Sequence, residues 1–168
     1  ALGDIEYNGF HLNRTKWLLL NEQYKVKALA TEHQLDELIL QQGKKWYNKY
    51  KLDAHQADLF DPSFETTRLT TINWSSDKQV YEILTKVFGL FPTDKHGKNS
   101  SGANAIELLS SKHEITTLLL KLRKEEKAVT SFGEEYLKKF QDPDNRIRTQ
   151  YNQIVETGRI SSRSPNLQ

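Results

Sequence analysis

The 168 residues suffice for one domain with a real core, or for one domain with a piece of a neighbour. Charged residues make up 27% of the chain but the net charge is only +2. That excludes an indiscriminate polyanion binder and leaves local clusters of Lys and Arg as the route to any nucleic-acid contact. The absence of cysteine excludes disulfides and thiolate zinc sites and suits a reducing compartment. There is no methionine either, so a chain opening on Ala1-Leu2-Gly3 reads as a processed or excised piece of something longer. No signal peptide is visible, and no apolar run approaches a membrane span.

Leu2, Ile5 and Glu6 at helical spacing predict a short helix that breaks at Asn8-Gly9. Phe10 and Leu12 alternate with polar residues and predict a short extended segment. Asn13 is a good N-cap, because its short side chain can accept from the first free amides of a helix. Residues 14–42 contain no Gly or Pro, and Trp17, Leu20, Tyr24, Ala28, Leu35, Leu38 and Ile39 recur at steps of three and four. The spacing predicts one long amphipathic helix ending near Gly43. In residues 44–71, Lys44, Lys45, Lys49 and Lys51 interleave with Trp46, Tyr47 and Tyr50. That pattern makes a stacking platform for single strands, or, more commonly, a short helix that buries its rings and solvates its lysines. Asp61-Pro62 and residues 66–71 read as loop.

Ser75 or Ser76 is placed to cap a helix running to about Phe88, with Val80, Ile83, Leu84 and Val87 on its buried face and Gly89 as its stop. Residues 93–99 form a polar, basic loop, after which Ser100 or Ser101 caps a short helix through about Leu109. Free helix amides beside a serine hydroxyl and lysines suit a phosphate; the same pattern also describes an ordinary capped surface helix. Residues 112–140 predict a second long helix striped by Ile115, Leu118, Leu119, Leu122, Val129, Phe132, Tyr136 and Leu137, with Gly133 marking a kink or a close backbone approach. Its RKEEK run is most simply a solvated face. Asp142-Pro143-Asp144-Asn145 is a turn, and residues 146–156 alternate as a strand with Ile147, Thr149, Tyr151 and Gln153 on one face and Arg148, Gln150 and Asn152 on the other. The polar last twelve residues read either as a frayed tail or as donors for phosphates and base edges.

Their order decides between these. TGRxSSxxPNLQ, at residues 157–168, resembles a signature of family A DNA polymerases, the DNA polymerase I type. Asn73 to Gln79 resembles that family's N-x-x-S-x-x-Q segment, residues 146–153 its R-[IL]-x-T-x-[FY]-N-Q segment, and the opening DIEYNGFHLN the start of its thumb. One departure is visible: the span from Asn152-Gln153 to Thr157-Gly158-Arg159 is one residue shorter than usual. The resemblance leaves residues 44–71 unaligned, as an insertion of unclear role.

The resemblance implies a mainly α fold: two long antiparallel helices with a small helical tip, and a short β segment at the C-terminus. It implies a thumb at residues 1–141 and the start of a palm at 142–168. The implied partners are primer–template DNA and the remaining palm and fingers of the polymerase, with no membrane. The implied place is the cytoplasm of a bacterium or of a phage-infected host. Asn73, Ser75, Lys98, Ser100, Arg123, Lys127, Arg159, Asn166 and Gln168 are the candidate DNA contacts. The Mg²⁺-binding carboxylates of the complete polymerase match nothing here, and Asp142 and Asp144 beside a proline read as structural turn residues. No catalytic residue, metal ligand or cofactor is therefore expected in these residues, and the chain by itself is not expected to polymerise. It reads as an excised piece or as the product of a split gene. The competing reading is a non-catalytic helical interaction protein, a polymerase-derived decoy that binds protein.

Overall fold

The structure, a computed structural model, describes residues 2–51, 69–110, 113–152 and 160–167. Its elements are α1 (Leu2–Asn8), β1 (Phe10–His11), α2 (Arg14–Leu40), α3 (Lys44–Tyr50), α4 (Asp77–Lys86), α5 (Ala103–Glu107), α6 (Glu114–Ser131), α7 (Glu134–Phe140), β2 (Arg146–Ile147), β3 (Gln150–Asn152) and β4 (Ser161–Arg163). The fold is mainly α, as expected, with two small antiparallel pairs, β1 with β2 and β3 with β4. The chain divides into two compact units, residues 25–126 and residues 1–24 with 127–168.

Residues 25–126 hold the larger core. Leu35 and Ile39 of α2, Val80, Ile83 and Leu84 of α4, Ile106 of α5, and Ile115, Leu119 and Leu122 of α6 are all buried, together with Ile72 and Trp74. Complete burial of each such side chain contributes roughly 1.5–3 kcal/mol. One polar group sits among them. Asp36, 1% exposed, accepts from the Leu69 and Thr70 amides at 2.9 and 3.1 Å, from the Thr70 hydroxyl at 2.7 Å and from the Trp74 indole at 2.8 Å. Both carboxylate oxygens are thus doubly satisfied, and residues 69–74 are drawn onto α2. A second buried link joins α2 to α6: the Thr31 hydroxyl donates to Glu125 at 2.8 Å. Neither pair is visible from hydrophobic spacing.

In residues 1–24 with 127–168, Asn13 caps α2 as expected, its Oδ1 accepting from the Lys16 amide at 3.0 Å. The second long helix is interrupted at the glycine expected to mark a kink or a close backbone approach. It is broken into α6 and α7 at Phe132-Gly133, where Gly133 is extended at φ −77, ψ −169. The break is stabilised from α2: the Trp17 indole donates to Phe132 O at 2.7 Å and the Asn21 amide to Val129 O at 3.1 Å. These are carbonyls that the end of a helix leaves open, and side chains from elsewhere satisfy them. Glycine suits the junction, because a Cβ on Gly133 would stand 2.7 Å from Val129 O. The order of these contacts, Trp17 to residue 132 and Asn21 to residue 129, runs antiparallel. Trp17 also stacks on Tyr136 at 5.4 Å, and Tyr136 packs on Phe140 at 5.0 Å. Burial among these rings raises the Tyr136 phenol above its ordinary value.

Three expectations are corrected. The strand over residues 146–156 is two strands in separate sheets, β2 and β3, with residues 153–156 outside the described set. The alternation itself holds, since Ile147 and Thr149 are buried. The split falls at Arg148-Thr149: the Arg148 guanidinium is held by Asp142 and Asp144, and the Thr149 hydroxyl lies 2.6 Å from Pro165 O. The caps also differ. Ser76 occupies the N-cap of α4 without a side-chain cap bond, and the N-cap of α5 is Gly102 instead of Ser100 or Ser101. Lastly, α3 buries none of its residues.

Replacing Asp36 by Ala is expected to lower unfolding stability by about 2–5 kcal/mol, because four donors lose one acceptor in a dry site. Gln34→Ala, on the exposed side of α2, is expected to stay within about 0.5 kcal/mol. Urea unfolding followed by circular dichroism measures both.

Candidate functional site

The N-terminus of α4 is built by a closed turn. The Asn73 amide donates to Gln79 Oε1 at 2.8 Å, and Asn73 Oδ1 accepts from the Ser75 amide at 3.0 Å. Gln79 stands three residues after the cap, where a side chain can reach back past the helix start. The N-x-x-S-x-x-Q spacing is therefore first of all a device that shapes this turn. The turn delivers two side chains to α6: the Ser75 hydroxyl donates to Glu126 at 2.6 Å, and Asp77 accepts from Arg123 Nη2 at 3.0 Å. Ser101 donates to the same Asp77 carboxylate at 2.8 Å, which brings the segment after the basic loop to this point.

That loop is more ordered than a plain polar connection. Thr93 and Asn99 form an antiparallel bridge. Asp94 Oδ1 gathers the His96 and Lys98 amides at 2.8 and 2.9 Å, and Gly97 takes φ +74. Lys98 is exposed at the turn. The Ser100 hydroxyl accepts from the Gly102 amide at 3.1 Å, so it is used within the turn and does not cap α5. A groove of about 730 Å³ lies between this turn and α5, lined by Lys95, His96, Ser100 and Asn104 among others.

The structure thus places Asn73 and Ser75 in one hydrogen-bonded cluster with Gln79 and Glu126, and Arg123 in a second with Asp77 and Ser101, both at the start of α4 in residues 25–126, with Ser100 one residue from Ser101. Sequence reasoning missed Asp77, Ser101 and Glu126, the partners that set the geometry. Asp77 carried a weak signal as an acid in the first turn of a helix; its pairing with a residue 46 positions away carried none. Arg123 is not a bare cation: its side chain is 22% exposed and Asp77 occupies part of its fork. Among the described residues Asp77 takes one of the five donors of that fork.

Lys127 lies one helical turn beyond Arg123 on α6 and is exposed; it belongs to the other compact unit. In that unit the C-terminal segment is folded, not frayed: β4 pairs with β3, with Gln150 opposite Arg163 and Asn152 opposite Ser161. Asn166 is exposed, and its Oδ1 accepts from the Ser162 hydroxyl at 3.2 Å. Arg159 and Gln168 lie outside the described residues.

Comparison with known proteins decides what these elements belong to. The family model described as DNA polymerase family A matches residues 44–168, a span that includes the segment left unaligned by the sequence motifs. The chain belongs to DNA polymerase family A. It is 36% identical over 99 residues to DNA polymerase I of Bacillus subtilis, with 57% of the chain and 11% of that protein covered. It is 37% identical over 94 residues to the DNA polymerase of Escherichia phage T5, covering 54% of the chain and 11% of that protein. A family A relative from Helicobacter pylori, DNA polymerase I, aligns over 100% of the chain at 26% identity and 15% of its own length. The chain therefore spans between about a tenth and a sixth of these relatives. Its fold is also that of part of the polymerase domain of Pol1 from M. smegmatis, solved in complex with DNA primer–template and dNTP. The match has a TM-score of 0.58 at 23% identity and covers 99% of this chain and 24% of that one.

Family A polymerases imply a catalytic metal. Among the described residues no three His, Asp or Glu side chains converge into a group able to hold one. The strongest acidic pair, Asp142 and Asp144, is committed to Arg148 at 2.5 and 2.6 Å. These described residues do not fit the metal site. Among the same residues no helix is long and apolar enough to cross a membrane.

The Asp142–Arg148 turn fastens the C-terminal segment to α1, because Arg148 Nε donates to Tyr7 O at 2.8 Å and Arg146 to Asn8 O at 2.7 Å. Hydrogen bonding from Arg148 holds the Asp144 carboxyl below its ordinary 3.8. A carboxyl lowered in the folded state stabilises above its unfolded pKa, and that contribution is lost as pH falls through the folded one. The amides of residues 144–148 are thus expected to keep their NMR shifts at pH 5 and to move only below about 3.8. In Arg148→Ala the Asp144 carboxyl resonance is expected to titrate at a higher pH than in the parent chain.

Proposed function

We propose that this chain is the thumb of a family A DNA polymerase with the beginning of its palm, residues 1–141 and 142–168, and that it grips primer–template DNA for an active site carried elsewhere on the enzyme. The observation that carries this reading is the match of 99% of the chain to part of a polymerase domain that was solved with primer–template DNA. The site adds physical support. The turn before α4 positions Ser75 and Asp77 against α6, and Asp77 holds the Arg123 fork in a fixed orientation. Lys98 and Lys127 offer exposed ammonium groups. Such groups recognise phosphates; they set register on a duplex and carry little sequence information. In this reading the nucleotidyl-transfer metals, Mg²⁺ in the complete enzyme, are held by carboxylates of the remaining palm, and the setting is the cytoplasm.

Few phosphates are neutralised in this reading, so binding is weak, with a salt slope set by that small number of contacts. A fluorescence-anisotropy titration with a primer–template duplex at low and moderate salt tests it. Binding at low salt that is lost at moderate salt is expected. Lys127→Glu is expected to weaken binding several-fold and to reduce the salt slope by about one, with helicity unchanged. Asp77→Asn, which removes the acid competing for Arg123, is expected to strengthen binding. A flat titration at low salt from a folded chain overturns the proposal and favours the helical interaction protein instead.

A further inference from the structure

The basic and aromatic helix α3 has no role in the network just described. Residues 44–51 carry Lys44, Lys45, Lys49 and Lys51 with Trp46, Tyr47 and Tyr50 and no acid. A structural helix of this composition would bury its rings, yet no residue of α3 is buried and Tyr47 is 38% exposed. Trp46 and Tyr50 stack nearly parallel, 6.2 Å apart at 12°. Lysines cover the rings: Lys45 Nζ lies 4.7 Å from the Trp46 centroid, Lys49 4.7 Å from that of Tyr50, and Lys51 4.7 Å from that of Tyr47.

The helix is nevertheless held in place. Tyr50 packs on the core, and Tyr50 O accepts from the Thr71 amide at 2.8 Å. Lys51 bridges to Thr70, which Asp36 holds. Lys49 is tied to Glu82 at 3.2 Å. Among the described residues these contacts fall toward the C-terminal end of α3, and Trp46 and Tyr47 stand as a half-solvated ring surface rimmed by cations.

We infer that α3 is a second nucleic-acid contact, a stacking platform for single-stranded DNA. Charge selects the class of partner. Four lysines without an acid in eight residues oppose a basic or apolar partner and favour a polyanion. The rings select among polyanions. Bases within a duplex present no free face, whereas an unpaired base stacks on an aromatic side chain while lysine meets its phosphate. Lys45, which covers the Trp46 ring, is placed to move onto a phosphate as a base takes its position, exchanging one cation–π contact for a charged one. The inference rests on the proposed DNA-gripping function for the identity of the polymer, and on different residues for the contact.

The test uses the whole chain, with a labelled oligothymidylate and a blunt duplex as separate probes in anisotropy titrations. Trp46→Ala is expected to weaken oligothymidylate binding by about five- to a hundredfold and to leave the blunt duplex within twofold. Trp46→Phe, which keeps a ring, is expected to retain most of the affinity, and Lys45→Glu to reduce it. Lys127→Glu is expected to show the converse pattern, with loss confined to the duplex. Circular dichroism confirms that each variant is folded. Duplex binding without oligothymidylate binding overturns this inference alone. Oligothymidylate binding that Trp46→Ala does not change, or that polyglutamate competes away equally in both proteins, overturns it too, because charge would then account for everything. Oligothymidylate binding sensitive to Trp46, with no duplex binding, leaves it standing and overturns the duplex grip.

Discussion

Asp36 is the point on which residues 25–126 turn. Its carboxylate lies inside an apolar core, where an acceptor gains most from being fully bonded and a donor loses most from being left open. Four donors meet that condition, and all four come from residues 69–74. The consequence is positional. Once Leu69, Thr70 and Trp74 are fixed against α2, the Asn73 turn and the start of α4 have little freedom. Ser75 and Asp77 then arrive opposite Glu126 and Arg123. The same Thr70 fixes the far end of α3 through Lys51. Both candidate nucleic-acid surfaces thus descend from one buried acid.

Polar groups set register where apolar stripes alone would slide. Leu and Ile side chains on two helices pack nearly as well one turn up or down, whereas a hydroxyl facing a carboxylate at 2.8 Å does not. Thr31 with Glu125 plays this part in residues 25–126, and the Asn21 and Trp17 donors play it in the other unit. In the latter the polar contacts also end a helix. By taking the carbonyls of Val129 and Phe132, they stabilise the break at Gly133 and release α7 to carry Tyr136 onto Trp17.

The near-neutral total charge acquires a structural meaning. Acids are placed beside cations: Asp77 beside Arg123, the candidate DNA contact, Glu82 beside Lys49 and Lys86, and Asp142 and Asp144 beside Arg148. Hydrogen bonds from Lys86 and Lys49 keep Glu82 below its ordinary pKa. These pairs hold long side chains in defined orientations and are worth little as surface stability.

Periodicity by itself placed long helices within residues 14–42 and 112–140, started the first at Asn13, and put Ile147 and Thr149 on one face of an alternating segment. These are local properties: each depends on which residues recur at a fixed spacing, and spacing is written in the chain. The ordered motifs likewise placed the chain in its family. Only the tertiary structure decided that Asp36 is a buried hub, that α6 ends at Gly133, that β2 and β3 join different partners, and that Arg123 reaches Asp77. Each of these joins residues far apart in sequence, or, at Gly133, relies on side chains more than 100 positions away. It decided as well that the rings of α3 are only partly buried, since burial depends on what else is near, and a sequence records neighbours in order, not in space.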